Sequence, residues 1–219
     1  MTNGLLLVLG PIVEPILLTF APIWAWERAY RAQRGFLNLL FLLVLPLLAL
    51  STVAEAFRLV HWGMLQGEFE HRKLFLLGPT VVFEVGQFLL SVIVVFAGAI
   101  MLKSVGETFH GRHTFSQAFA TVAYALSPFF LVRLLDGIKD LPPWVSWGLG
   151  ILVSIRVLYS GVPRMMQPDP AHAFGLFVMS AFLLTLTTGL AELLTACYLQ
   201  GKFPGLEASF SDLATRLHL

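Results

Sequence analysis

The sequence predicts an all-α, polytopic membrane bundle of about five transmembrane helices, and three observations lead there. Five apolar stretches, Phe36–Val60, Leu74–Leu102, Phe115–Leu135, Trp144–Val162 and Ala171–Tyr198, fill most of the 219 residues. Each meets the length of about 20 residues that a bilayer-crossing helix needs. Hydrophobic residues make up 57% of the chain against 12% charged, with a mean hydropathy of +0.80. A soluble domain is about a quarter charged, so this chain needs lipid as its solvent. Trp24, Trp26, Trp62, Trp144 and Trp147 all lie near the ends of the stretches, where indole rings mark a membrane interface.

The elements follow in order. Residues 1–35 read as an N-terminal interfacial or re-entrant segment. Leu5–Leu9 is apolar but lacks the basic flank and cleavage pattern of a signal peptide. Pro11, Pro15, Pro22 and Glu14 interrupt it, with a sixth span over residues 4–26 as the alternative. Residues 36–200 form the five-helix domain, and 201–219 a short tail. Thr114 and Gln117 fit a capping box, which starts the third helix at Phe115. Within that helix Pro128 frees the carbonyl of Tyr124, predicting a kink that Ser127 partly satisfies. Gly161 and Pro163 close the fourth helix. Asp169 and Pro170 supply a cap and a first-turn proline for the fifth. The cluster Arg28, Arg31 and Arg34 leads the first span and favours a cytoplasmic N-terminus; the expected location is the cell inner membrane.

Polar residues inside the spans are spaced for a shared face. The second helix carries Thr80, Glu84, Gln87, Ser91 and Gly98, the third Gln117, Thr121, Tyr124 and Ser127, and the fifth Thr185, Thr188, Glu192 and Thr195. Steps of three and four align each set, and such a face turns inward because lipid cannot satisfy it. Ser146, Gly150 and Ser154 give the fourth helix a row of small residues that permits close packing.

Glu55, Glu84, Arg156 and Glu192 are charges within the spans, and all count their depth from one membrane face, where Arg58 and Arg133 also close their spans. Charges at such depth must face protein or water. Arg156 is the expected counter-ion of Glu84 or Glu192. Two uses of the cluster remain open, an internal network that fixes packing and a hydrated cavity for an ion, a proton or a lipid head group.

Other chemistry finds little support. A net charge of +1 and the lack of a basic run argue against nucleic acid. The single Cys197 forms no disulfide within the chain, and no cofactor or metal is expected. His110 and His113 are two histidines in a loop without a third ligand. Arg112 and His113, with Arg164 and His172, offer a weak attraction for lipid phosphates. No metalloprotease, serine-hydrolase or phosphate-loop motif occurs, and no aspartate falls within the predicted spans. The expectation is that the protein is not an enzyme.

Ala123-Tyr124-Ala-Leu-Ser127-Pro128 in the third helix and Leu158-Tyr159-Ser-Gly161 in the fourth resemble segments of the Yip1 domain family. Pro22-Ile-Trp24-Ala-Trp26 before Arg34, and Pro46 in the first span, resemble its bacterial members. The resemblance covers about residues 20–200. It implies a five-span membrane fold without established catalytic residues. Eukaryotic members engage small GTPases through a cytosolic N-terminal region, which here is short and apolar, and of the family's Asp-Leu-Tyr-Gly-Pro motif Leu77-Gly78-Pro79 is only a fragment. Bacterial members resemble accessory proteins, some associated with ABC exporters. The implied function is an accessory or scaffolding protein that binds other integral membrane proteins, ABC transporter subunits among them, with a homo-oligomer left open. The alternative is a transporter or lipid-handling protein that uses the Glu/Arg cavity.

Overall fold

The third span differs from the rest in being built from small residues, and this decides the architecture. Ala118, Ala120, Ala123 and Ala125 let neighbouring helices approach closely from several sides. The structure, a computed structural model, describes residues 13–66, 71–109 and 114–217. In it the span Phe115–Gly137 is 78% buried along its apolar window, against 22–44% for the other four. It is the axis around which the bundle assembles.

Among the described residues, residues 13–20 are helical. They are followed by α1 (Pro22–Ala32) and by α2, which runs over Phe36–His61. A short hairpin, β1 (Met64–Gln66) antiparallel to β2 (His71–Lys73), leads into α3 (Leu77–Thr108). Next come α4 (Phe115–Val132), its 3-10 extension Arg133–Gly137, and α5 (Pro143–Met165). The chain closes with α6 (Ala173–Leu199) and α7 (Pro204–Arg216). Five helices, α2 to α6, are long and apolar enough to cross a membrane. Apart from the hairpin the described chain is all-α, as the sequence predicts.

Boundaries shift for local reasons. The capping box forms as predicted, with Thr114 Oγ1 accepting from the Gln117 amide at 3.2 Å and the Gln117 side chain accepting from the Thr114 amide at 3.0 Å. Pro128 lies inside α4, and Ser127 Oγ donates to the Tyr124 carbonyl at 2.8 Å. In α2, Pro46 cannot donate to the Leu42 carbonyl, and the wider π-type turn Leu40–Val44 lies immediately before that helix's proline turn. Gly161 and Pro163 do not close α5, which continues to Met165. Asp169 and Pro170 do not begin α6, whose N-cap is His172. Asp169 Oδ1 instead accepts from the Ala171 amide in the preceding turn. The predicted tail contains α7, which packs on α3. Lys73 pairs with Glu207 of α7 at 3.1 Å, and Phe210 lies against Tyr198, itself stacked on Phe83. This layer closes one face of the bundle, opposite the face occupied by α1.

Trp26 is a correction of a different kind. It is not an interface residue like the exposed Trp24 but a fully buried one. Its Nε1 donates to the Val157 carbonyl at 2.9 Å, and its ring meets Tyr124 edge-on at 5.7 Å. A Cβ on Gly161 would lie 2.3 Å from its indole, so glycine is what lets α1 dock on α5. Gly150 plays the same part against Phe129. Residues 110–113, and the first twelve residues of the predicted N-terminal segment (1–35), lie outside the described residues.

The Gly161→Ala variant should lose about 1–3 kcal/mol of stability, because the rigid indole cannot yield as a flexible side chain would. Thermal denaturation in detergent checks this. Combining it with Trp26→Ala should cost less than the sum of the two single changes.

Candidate functional site

The inward polar faces converge on one guanidinium. Arg133 sits where α4 tightens into its 3-10 turn, and the turn's three-residue repeat places Asp136 directly in line with it. Arg133 Nε pairs with Asp136 Oδ2 at 2.5 Å, Nη2 with Glu55 Oε2 of α2 at 3.2 Å, and Nη1 with Glu192 Oε2 of α6. Ser146 of α5 hydrogen-bonds Asp136 Oδ1. Gln87 of α3 donates to Glu55 Oε2 at 2.6 Å, and Arg58 Nη2 approaches Glu55 Oε1 at 3.5 Å. Every spanning helix therefore contributes a side chain to this hub.

Burial makes these contacts consequential. Glu55 and Asp136 are each 1% exposed, and Arg58, Arg133 and Glu192 are also buried. In a low-dielectric interior each charge has a large desolvation cost that only close partners offset. Glu84 is buried too, one helical turn before Gln87, yet among the described residues neither of its carboxylate oxygens has a hydrogen-bond partner. Glu55, Glu84, Asp136 and Glu192 give four acids against the two arginines Arg58 and Arg133.

A cavity of ≈ 40 Å³ adjoins the hub, lined among others by Ser51, Gln87, Arg133, Thr188 and Glu192. One water occupies about 10–15 Å³ by this measure, so the space suits a few waters and not a lipid head group. Thr188 donates to the Leu184 carbonyl of its own helix at 2.7 Å. Among the described residues no three His, Cys, Asp or Glu side chains are placed to hold a metal ion.

The structure brings together Glu55, Gln87, Thr188 and Glu192 as the spacing predicts, with Glu84 buried one turn from Gln87. It does not bring Arg156 to them. That side chain is exposed on the face of α5 turned away from the bundle. Arg133 and Arg58 are the counter-ions instead, because their helices end at the depth where the acids lie. Asp136 is the residue sequence reasoning missed, since it was placed beyond the span. The signal was available in its i,i+3 spacing from Arg133.

The motif residues do other work. Tyr124 and Gly161 both meet Trp26, Ser127 and Pro128 shape α4, and Tyr159 is exposed on α5 with its ring edge-on to Phe177 at 5.2 Å. On the face opposite the hub, Arg34 grips buried Glu14 with both carboxylate oxygens at 2.8 Å. Beside that pair a cavity of ≈ 290 Å³ is lined by Tyr30, Gln33, Arg34, Gln117 and Tyr124.

The Yip1 domain pattern matches residues 16–191, which takes in α1 to α5 and most of α6. The chain belongs to the Yip1 domain family. It is a multi-pass membrane protein with a Yip1 domain, and both resembling motifs fall within the matched region. No match was found among curated proteins or solved structures.

Arg133→Met should lower stability by about 3–5 kcal/mol, because it leaves three buried carboxylates without their partner. Heating followed by size-exclusion in detergent measures the loss. Adding Glu55→Gln and Glu192→Gln should recover part of it by removing two of the stranded charges.

Proposed function

We propose that this Yip1-domain protein is a non-enzymatic accessory subunit of the cell inner membrane, with a cytoplasmic N-terminus, that binds other integral membrane proteins. Outward-facing Arg156 carries the reading. A guanidinium near the middle of a span is costly in lipid, and among the described residues this one has neither an ion pair nor a hydrogen bond. Another membrane protein meets that need, and a transporter subunit is one such partner. The hub is consistent with this role, since Arg133 pairs with three of its four acids beside a space too small for a lipid head group. Purification in mild detergent at native expression, followed by native gels and mass spectrometry, tests it. A stoichiometric membrane partner is the expected result, and a lone monomer would overturn the reading.

A second reading, ion or proton passage, is favoured by Glu84 alone, a buried carboxylate without hydrogen-bond partners among the described residues. It expects Glu84→Gln to abolish flux in liposomes while abundance and thermal stability are kept. Equal flux in the variant and the parent protein would remove it.

A further inference from the structure

Helix α5 has two faces of opposite purpose. Ser146, Gly150, Ser154 and Gly161 are buried against the bundle. From Val145 onward every exposed residue falls at 145, 149, 152, 156, 159 or 163. Those steps of four and three repeat along the helix, the spacing with which one helix meets another along a continuous seam. Val145, Leu149, Leu152 and Tyr159 are large and apolar, so the seam suits an apolar partner helix everywhere except at Arg156.

Arg156 cannot readily escape to the membrane surface. It lies nine residues before Met165, about 13 Å along the axis, and thirteen after Pro143, about 20 Å. Helical side chains lean toward the N-terminus, here away from the nearer end of α5, which opposes snorkelling in that direction.

Charge decides the occupant. A second copy meeting the same seam about a two-fold axis would bring arginine against arginine. Nor do the described residues offer an acid elsewhere at that depth. Among the described residues the exposed acids are Glu27, Glu107, Asp140, Asp169 and Asp212, in α1, in the last turn of α3, in loops and in α7. The acids within the spans, Glu55, Glu84, Asp136 and Glu192, are buried in the hub.

We propose that the outer seam of α5 docks a transmembrane helix of a different protein, one that carries a carboxylate near its middle to pair with Arg156. This deepens the accessory-subunit reading and rests on it. The seam gives apolar contact along its length, and the single buried charge pair fixes register and rejects helices without an acid.

The test uses the full chain, labelled with a terminal fluorophore, in phosphatidylcholine vesicles. The probes are polyleucine transmembrane peptides with a central Glu, Gln or Leu, and binding is read by energy transfer. The Glu peptide should bind about tenfold more tightly than the Leu peptide, a preference that Arg156→Leu removes without changing thermal stability. Equal binding of the Glu and Leu peptides, or an undiminished preference in Arg156→Leu, would overturn the proposal. So would a homodimer that blocks the peptide and depends on Arg156. Repeating the assay in anionic vesicles separates a lipid phosphate at Arg156, which would compete the Glu peptide away and overturn the docking assignment. Survival of a native complex in Arg156→Leu would sink the seam and leave the accessory reading standing. Protein that migrates alone at native expression yet selects the Glu peptide would do the reverse.

Discussion

Everything in this bundle depends on Arg133 reaching three carboxylates at once. One guanidinium offers several donors in a fixed plane, and here they serve Glu55, Asp136 and Glu192 from α2, from its own turn and from α6. A lysine could supply the charge but not the directions. Because the acids come from separate helices, their relative height is set by one planar group rather than by apolar contacts, which in lipid discriminate weakly between registers. Ser146 and Gln87 extend the same constraint to α5 and α3.

The fold was largely legible because lipid enforces a simple rule on sequence. Apolar length marked the five spans, and the spacing of Thr121, Tyr124 and Ser127, or of Thr188, Glu192 and Thr195, marked faces that are indeed buried. The hub was legible in its acids but not in its bases. Arg156 looked central because it sits deep in a continuous apolar run, while Arg133 looked terminal because its run ends there. Depth along one helix does not reveal which way a side chain points, and only the packing of α5 through Ser146, Gly150 and Ser154 settles that Arg156 faces outward. Asp136 lay outside the predicted spans because the apolar run ends at Leu135, while the helix continues as a 3-10 turn to Gly137 in which Asp136 is still buried.

Trp26 gives the family motifs a physical meaning. Tyr124 of α4 supplies a ring for it, Val157 an acceptor, and Gly161 the gap that its indole fills. Residues that seem unrelated along the chain are thus three walls of one socket. The socket joins α1 to the two helices that carry the motifs, and the Arg34–Glu14 pair holds the following turn to the preceding helical segment. The two faces are therefore organised differently, an ionic knot near one and an aromatic plug near the other.

The placement of Arg133 along the chain also constrains how the protein is made. A ribosome delivers Glu55 and Glu84 before Arg133, the residue that pairs with three of the hub's acids, has been synthesised, and Glu192 after it. Arg58 and Gln87, each close to an acid in sequence or across the first helix pair, are the hub partners among the described residues that precede it in the chain. The first two spans, which pack directly on each other, are therefore complete in the growing chain before the guanidinium that pairs with Glu55 exists.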